Sequence, residues 1–451
     1  MVGQIIFAVL LLAISALAFV KYSALVRNIR LGKAEKISGD GAKRLKNMML
    51  VAFGQSKMFK RPVAAILHLF VYVAFVITQV ELIEIVIDGI SGQHRFFWGL
   101  WKENTLLAGF YTFIISFIEI LSVLALVATF AFLSRRNLLK IPRFRKSELN
   151  GWPFLDANII LYAEIVLVAC IFTMNSADMA MHKNEYGFAV SGLLSGIWGS
   201  ASEGSLEVAE RIGWWGHILV VFAFLAYLPY SKHLHIMLAF PNTYFARINA
   251  KGEMANMESI QKEVASMFNP SQETSTTTEI PKFGVSDVFD LNRTQLLAAY
   301  TCTECGRCTA SCPANLTGKK LSPRKIMMDV RDRADEIGKN IDANKTEFIK
   351  ADQKDKLSKL TADNYDDGKS LFDYISNEEL HACTNCNACV EACPVLINPL
   401  DIITEMRRNL ILEQSVSPDS WNAMFNTVEN NGAAWAFSSD ERAKWAKEFN
   451  A

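Results

Sequence analysis

The chain has 451 residues, enough for about three ordinary domains, and its 46 Lys and Arg balance its 46 Asp and Glu. Hydrophobic residues make up 51% of the chain and charged residues only 20%, whereas soluble globular proteins carry about 25% charge. This composition argues against an ordinary cytosolic enzyme. Zero net charge argues against a nucleic-acid-binding protein, so we expect no nucleic-acid partner.

The first half of the chain contains five long apolar stretches. They cover Ile5–Val26, Pro62–Ile87, Leu106–Leu133, Leu155–Met174 and Ile212–Tyr230. A helix needs about 20 apolar residues to cross a bilayer, so the pattern predicts five membrane-spanning helices. A signal peptide is the alternative for the first stretch. However, no Lys or Arg precedes Lys21, whereas a signal peptide begins with a positively charged segment.

The charges of the connecting segments predict the orientation of the helices. Residues 21–61 contain eleven Lys or Arg against two acidic residues, and residues 135–146 contain six more. The connection at 177–211 is acidic instead. Basic loops stay in the cytoplasm. We therefore expect a multi-pass protein of the inner (cytoplasmic) membrane, with its N-terminus outside and everything after the fifth helix in the cytoplasm.

Eight of the nine cysteines form two runs with the same spacing, each followed by proline. The runs are Cys302-x-x-Cys305-x-x-Cys308-x-x-x-Cys312-Pro313 and Cys383-x-x-Cys386-x-x-Cys389-x-x-x-Cys393-Pro394. This is the bacterial [4Fe–4S] spacing, in which the fourth cysteine ligates the other cluster. The expected ligand sets are Cys302, Cys305, Cys308 with Cys393, and Cys383, Cys386, Cys389 with Cys312. Zinc is the alternative, but it does not require two matched quartets that end in Cys-Pro.

These features predict a mainly α fold, with a five-helix transmembrane bundle followed by an α-helical ferredoxin-type domain for two [4Fe–4S] clusters. We place the transmembrane domain at 1–245, an amphipathic segment and linker at 246–285, the dicluster domain at 286–412 and a C-terminal partner-docking tail at 413–451. The linker itself is expected at 270–282, a polar, β-branched stretch with proline near both ends. Ser322-Pro323 predicts the start of a helix between the two cysteine runs.

Histidines of the membrane half are candidate cofactor ligands. His68 lies six residues after Pro62, ~9 Å into the second helix. His217, near the outer start of the fifth helix, and His235 are 18 residues apart, so on one continuous helix they share a face at ~27 Å separation. His233 would then point about 200° away from His235. His68 and His235 both fall at the cytoplasmic level and can form an axial pair for haem b. The alternative for His68 is a histidine that packs between helices, and the alternative for His235 is a residue at the membrane interface.

Other polar residues within the apolar stretches have two interpretations. Glu119 and Glu164 lie mid-span, and Glu81 and Glu84 lie near the outer end of the second helix. Such carboxylates are functional candidates by default. They either carry protons to a quinone or bond a neighbouring helix. Cys170 is interpreted as a buried small apolar residue.

The segment at the end of the fifth stretch resembles the last helix in the gamma-subunit family of respiratory nitrate reductase. The matching residues are Tyr230-Ser231-Lys232-His233-Leu234-His235-Ile236, followed by Pro241. The resemblance implies one haem b on His68 and His235, facing the cytoplasm. In that family a second haem uses a histidine ten residues after the position of His68, and Thr78 occupies that place here. His217 is therefore a candidate for a second haem or a quinone site, and its role stays open.

The second half resembles the iron–sulfur part of heterodisulfide reductase and its relatives, including membrane-bound electron-transfer-flavoprotein:menaquinone oxidoreductases. The matching residues are Cys302-Thr303-Glu304-Cys305-Gly306-Arg307-Cys308, Gly318-Lys319-Lys320-Leu321-Ser322-Pro323, and Asn430-Asn431-Gly432 with Arg442 and Trp445. That family continues into cysteine-rich CCG domains that hold the catalytic cofactor. The resemblance therefore implies a CCG-domain catalytic subunit on a separate chain. The tail, with three tryptophans, either docks this partner or packs on its own domain.

Together these predictions describe an oxidoreductase subunit for electron transfer. Electrons would pass between a cytoplasmic redox partner (the CCG-domain subunit or an electron-transfer flavoprotein) and membrane menaquinone, through two [4Fe–4S] clusters and one haem b. One alternative is a heterodisulfide reductase-like subunit that carries quinol electrons to a disulfide-type substrate. Another is a membrane anchor or redox sensor without turnover. No Gly-rich nucleotide fingerprint follows a predicted strand, so we assign no flavin or NAD site.

Overall fold

The computed structural model of the chain describes every residue except Ser38, Asn184, 269–281, 355–358, Arg442, Asn450 and Ala451. The described part is mainly helical, and its β pairing consists of two isolated bridges, Lys33 with Asn292 and Ile349 with Tyr365. The linker expected at 270–282 lies outside the described residues except for Lys282. Arg442 of the tail motif also lies outside them.

The first half of the chain forms the predicted bundle. Its α-helices, in chain order, are α1 (Val2–Ile29), α2 (Gly41–Met48), α3 (Pro62–Ile77), α4 (Gln79–Ser91), α5 (Phe96–Trp101), α6 (Thr105–Leu133), α7 (Trp152–Met181), α8 (Ala189–Leu194), α9 (Glu203–Tyr227) and α10 (His235–Phe245). Five segments are long and apolar enough to cross a membrane: α1, α3 with α4, α6, α7 and α9. The prediction of five spans is confirmed.

The α-helical pattern of the second span is interrupted at Thr78, between α3 and α4. The Thr78 hydroxyl donates to the Phe75 carbonyl at 3.2 Å, and the Gln79 side-chain amide donates to the same oxygen at 2.8 Å. Side chains that bond the backbone of the preceding turn compete with the helical ladder and bend helices. The interruption therefore has a local cause in the sequence.

Small residues allow α7 and α9 to pack closely. A Cβ added at Gly213 would lie 2.5 Å from the backbone nitrogen of Met174, and one added at Gly216 would lie 2.8 Å from Cys170 Sγ. Elsewhere α3 packs on α6, and α1 packs on α4 and α9. The outward side chains of the bundle are largely apolar, as expected for a surface that faces lipid.

The fifth span does not continue to His235. Helix α9 ends at Tyr227, and two short 3₁₀ turns, Leu228–Tyr230 and Lys232–Leu234, lead into α10. Pro229 lies in the first turn, where its missing N–H and fixed φ interrupt an α-helix. The assumption of one continuous helix from His217 to His235 is therefore wrong.

The second half is also helical. Its α-helices are α11 (Glu258–Phe268), α12 (Arg293–Thr301), α13 (Arg307–Ser311), α14 (Pro313–Leu316), α15 (Pro323–Asp342), α16 (Asn377–His381), α17 (Ala388–Ala392), α18 (Pro399–Leu412), α19 (Asp419–Asn431) and α20 (Lys444–Phe449). As predicted, a helix begins at Pro323, capped by the Ser322 hydroxyl, which accepts from the Lys325 N–H. Helices α12, α15 and α18 supply the fully buried Leu296, Ile326, Met327, Ile402 and Met406.

The two halves pack against each other. Leu25 and Leu234 of the first half belong to the same hydrophobic cluster as Leu296 of the second. Asn28, in the last turn of α1, donates to the Tyr300 hydroxyl at 3.1 Å. A Cβ at Gly338 would lie 2.3 Å from Asn28 Oδ1, so α1 and α15 touch without room for a side chain there. We call this end of the bundle the near end and the opposite end the far end.

Candidate metal centres

The two cysteine motifs fold into loops with the same backbone pattern. Glu304 (φ 53°) and Gly306 (φ 67°) are left-handed in the first loop, and Asn385 (φ 56°) and Asn387 (φ 60°) are left-handed at the matching positions of the second. Gly and Asn adopt this conformation at low cost, whereas Glu seldom does. The repeated spacing therefore encodes a repeated loop, and Glu304 is its exceptional residue.

The structure places the fourth cysteine of each run near the other run. Cys312 lines a small cavity with three cysteines of the second motif, Cys383, Cys386 and Cys389. Cys393 lies near the first motif, since its charge acts on the thiols of Cys302 and Cys308. Each group offers four sulfurs, the number that a [4Fe–4S] cluster requires. The nine cysteines of the chain are all free of disulfide bonds.

Burial disfavours the ionised form of several of these thiols. It raises the pKa of Cys302 and of Cys389 to about 12, and that of Cys393 to about 11. Backbone N–H groups oppose this shift, among them that of Ile397, which lies 3.2 Å from Cys393 Sγ. N–H···S contacts of this kind stabilise the thiolate that iron binds and tune a cluster's potential. The cysteine groups therefore fit iron–sulfur clusters in number, burial and hydrogen bonding.

The two cysteine groups differ in their surroundings. Cys386 of the second group is exposed. The first group lies against the near end of the bundle: Arg307, within the first motif, donates to the Lys57 carbonyl at 3.3 Å, and Arg324 donates to the Arg143 carbonyl at 2.8 Å. The second site is thus open to water-soluble molecules, and the first adjoins the membrane helices.

His68 and His235 face each other at the near end. Their ring centroids lie 6.4 Å apart, with the ring planes tilted by 43°. Nδ1 of His68 lies 3.1 Å from Oε1 of Gln55, and Nδ1 of His235 lies 3.0 Å from the carbonyl oxygen of Lys232. Because these oxygens accept, each Nδ1 carries the proton and each Nε2 lone pair stays free for a metal.

This pair fits the axial ligands of a haem. An imidazole that binds a metal through Nε2 at ~2 Å has its centroid ~3 Å from the metal, so two opposite imidazoles lie ~6 Å apart. The observed 6.4 Å agrees with that spacing. Metal-bound histidines also almost always donate their other N–H to an acceptor, as Gln55 and Lys232 provide here.

His233 lies where the sequence analysis did not expect it. Its ring stacks on that of His235, with centroids 5.5 Å apart and planes 10° apart. The 3₁₀ turn over Lys232–Leu234 brings the two rings to one side, whereas a regular helix would separate them. Among the described residues, Nδ1 of His233 is buried and has no hydrogen-bond partner.

His217 and Glu119 lie in the middle of the bundle. His217 is the fifteenth residue of α9 rather than near its start, because α9 begins at Glu203. Its Nδ1 lies 3.3 Å from the Leu167 carbonyl, in a different place from the His68–His235 pair.

One carboxylate oxygen of Glu119 accepts from the backbone N–H of Val190 (2.8 Å) and of Ser191 (3.1 Å). Glu119 therefore anchors α8, which agrees with the structural interpretation of this residue.

Three residues beside the histidine pair were missed by the sequence analysis. Gln55 lies in the basic connection before the second span, and Lys232 and Glu304 form an ion pair at 2.5 Å. The sequence around each of these residues does not distinguish it from any other polar residue. The available signal was the position of Glu304, because an acidic residue inside a cysteine motif needs a cationic partner.

Comparisons with known proteins agree with a redox role. Residues 301–397 match the family model of the 4Fe-4S dicluster domain. The chain is 28% identical over 462 residues to the probable iron–sulfur-binding oxidoreductase FadF of Bacillus subtilis (98% of this chain, 61% of the relative). It is 25% identical over 417 residues to the EtfAB:quinone oxidoreductase of Syntrophomonas wolfei (90% of this chain, 54% of the relative).

A shorter match connects the chain to a membrane-bound relative. A probable membrane-anchored ferredoxin of Chromohalobacter salexigens is 29% identical over 173 residues, which is 37% of this chain and 24% of the relative. No solved structure matches significantly. The chain spans a little over half the length of the two relatives that it matches most extensively. It is an iron–sulfur oxidoreductase-like membrane protein with a 4Fe-4S dicluster domain.

Proposed function

We propose that this chain is a membrane-anchored electron-transfer subunit that connects a water-soluble redox partner to membrane menaquinone. Two [4Fe–4S] clusters and one haem b would supply the one-electron chemistry. One cluster would be held by Cys302, Cys305, Cys308 and Cys393, the other by Cys383, Cys386, Cys389 and Cys312, and the haem by His68 and His235. The protein's part is to hold these groups close together and to tune them.

One observation supports this proposal most directly: Lys232 contacts both the first cysteine motif and the histidine pair. The Lys232 ammonium lies 2.5 Å from the carboxylate of Glu304, a residue that stands between Cys302 and Cys305 in the sequence. The backbone carbonyl of Lys232 accepts from Nδ1 of His235. Because Lys232 contacts both sites, the first cysteine motif and the His68–His235 pair are separated by about the length of one lysine side chain. A cluster site this close to a haem site is the arrangement that electron transfer requires.

The exposure of the cysteines supports an order for the electron path. The second group, with exposed Cys386, would exchange electrons with the soluble partner. The first group, packed on the near end of the bundle by Arg307 and Arg324, would pass them to the His68–His235 site. The quinone would then react within the membrane domain.

The basic loops support a cytoplasmic location for the clusters. Lys60, in the loop before the second span, pairs with Glu391, which lies within the second motif, and Arg27, at the end of α1, pairs with Asp342. The basic loops thus lie at the near end, on the same side as the cysteines. Because basic loops remain in the cytoplasm, we propose an inner-membrane protein with its N-terminus outside.

The tail and the relatives support a partner of the proposed kind. Trp421 of α19 packs on His381, with ring centroids 4.9 Å apart, whereas Trp435 and Trp445 are 70% and 71% exposed. Aromatic side chains are enriched in protein interfaces. One relative is named an EtfAB:quinone oxidoreductase. We therefore propose an electron-transfer flavoprotein, together with a CCG-domain subunit, as the partner and menaquinone as the acceptor.

A reduced-minus-oxidised optical spectrum and an EPR spectrum of the anaerobically purified protein test this proposal. We expect a b-type haem band, two [4Fe–4S] signals and about eight irons in the clusters of each chain. Iron well below this amount in freshly prepared protein would contradict the dicluster assignment. A fully iron-loaded protein without a b-type band would contradict the haem.

A further inference from the structure

At the far end of the bundle, two histidines and an aspartate converge. His94 belongs to the short connection between α4 and α5. Asp178 lies in the last turn of α7, and His182 directly follows that helix. Oδ1 of Asp178 lies 3.0 Å from Nε2 of His94 and 2.8 Å from Nδ1 of His182. Nδ1 of His182 also lies 3.1 Å from the backbone carbonyl oxygen of Asp178, so an ion bound at this nitrogen would replace the proton of that hydrogen bond. One ligand atom from each residue lies within 4.8 Å of the other two.

The carboxylate in this group is held in a fixed orientation. Asp178 is fully buried, and its second oxygen, Oδ2, accepts from Nε of Arg95 at 2.5 Å. Arg95 in turn donates to Asn175 at 2.7 Å and stacks over the ring of Tyr186 at 5.0 Å. Oδ1 is thereby turned toward the two imidazoles. Hydrogen bonds that orient a carboxylate in this way are typical of metal sites.

The imidazoles leave a route for an ion from outside. The side chains of His94 and His182 are each 39% exposed and stack with centroids 5.4 Å apart. A buried, oriented oxygen between two partly exposed imidazole rings forms a site that is fixed at its base and reaches solvent through the rings.

The local charge also favours a cation. The guanidinium of Arg95 is shared among three carboxylates: it donates to Asp178 at 2.5 Å, and the charges of Glu81 and Glu84 act on it. The backbone N–H of Arg95 donates to a fourth carboxylate, that of Asp88, at 3.0 Å. A cation bound beside Asp178 would reduce this excess of negative charge.

From this geometry we propose that His94, Asp178 and His182 bind a divalent first-row metal ion such as Zn²⁺. Two imidazole nitrogens and one carboxylate oxygen suit such an ion, with water in the remaining positions. Bonds of ~2.1 Å place neighbouring ligand atoms ~3–3.5 Å apart, close to the separations observed. The ion would join the connection after α4 to the end of α7.

Zinc binding to the tag-free, iron-loaded full chain in detergent tests the proposal. Added Zn²⁺ should bind with a stoichiometry of one by isothermal titration calorimetry, and its affinity should fall at least about tenfold in His94→Gln and in His182→Gln. Glutamine keeps a hydrogen-bond donor to Asp178, so these variants should fold. His381→Gln, on the dicluster domain, is the matched control and should bind as the wild type does.

A second measurement separates a lost site from a lost fold. Because an ion that binds only the folded state stabilises it, Zn²⁺ should raise the unfolding temperature of the wild type and of His381→Gln but not of the two far-end variants. Without zinc, all four proteins should unfold at similar temperatures. Absence of zinc binding in the wild type, or equal binding in all four, would mean that the cluster is only a hydrogen-bonded pair of imidazoles.

Discussion

The ammonium of Lys232 lies 2.5 Å from a carboxylate oxygen of Glu304, and both side chains are buried, with 11% and 3% exposed. Glu304 also accepts from Arg331 at 2.8 Å. Burial opposes ionisation of Glu304, but these two cations lower its pKa below the usual value. The ionised carboxylate therefore adds stability at neutral pH, which is lost as the pH falls below ~4. This ion pair holds the first cysteine loop against the His235 turn.

Lys232→Met should destabilise the protein, because it leaves Glu304 buried with one cation instead of two. Breaking a buried ion pair costs about 3–5 kcal/mol, and we expect about 3 kcal/mol since Arg331 remains. Chemical unfolding of the purified protein measures this value. The exposed Lys60–Glu391 pair supplies the control: Lys60→Met should cost no more than ~1 kcal/mol. An equal loss of unfolding free energy in Lys232→Met and Lys60→Met would show that the buried ion pair stabilises the protein no more than the exposed one.

His68→Ala and His235→Ala should each abolish the b-type haem band. Each substitution removes one of two facing imidazoles whose Nδ1 atoms are already occupied by Gln55 and Lys232. His217→Ala should keep the band, because His217 lies in the middle of α9 and bonds Leu167 instead. Reduced-minus-oxidised spectra at equal protein concentration provide the measurement. A full band in either of the first two variants would rule out this axial pair.

Cys312→Ser and Cys393→Ser should damage different clusters. Cys312 lines the cavity of the second motif, and Cys393 lies among the thiols of the first. We therefore expect Cys312→Ser to alter the signal of the cluster that Cys383, Cys386 and Cys389 hold, and Cys393→Ser to alter the other. EPR with iron analysis distinguishes them, since losing one cluster removes about four irons. Damage confined to each substituted cysteine's own motif would refute the crossed arrangement.

Gly306→Ala should impair the first cluster and leave the second intact. Gly306 is left-handed, and an added Cβ would lie 2.5 Å from Nη1 of buried Arg324. The backbone conformation alone costs about 1–2 kcal/mol for a non-glycine residue. Asn387→Gly is the matched control, since it keeps the left-handed position of the second loop accessible. A Gly306→Ala protein with both EPR signals at wild-type strength would contradict this role.

Local features of the sequence predicted the elements but not how distant residues meet. Apolar runs of about 20 residues identified the five spans, because the bilayer imposes that length on any helix. The cysteine spacing is typical of two [4Fe–4S] clusters, and its assignment of the eight sulfurs to two crossed ligand sets stays a prediction. His233 was misplaced because Pro229 ends the regular helix on which the phase argument depended.

The contacts that join the sites have no local signal. Lys232 and Glu304 are 72 residues apart, and Arg95 and Asp178 are 83 apart. Each is a charged residue of a common type, and only the packing of α10, α12 and the bundle brings the partners together. The occupancy of the sites by clusters and haem stays a prediction, which spectroscopy tests.

Electron transfer to menaquinone tests the central claim most directly. The protein is reduced chemically in liposomes under anaerobic conditions, freed of reductant, and mixed with liposomes that contain menaquinone. We predict that the EPR signals of both clusters and the b-type band disappear together as menaquinol forms, and that His235→Ala slows the loss of the cluster signals. Clusters that stay reduced in the wild type after menaquinone has been added would contradict the claim.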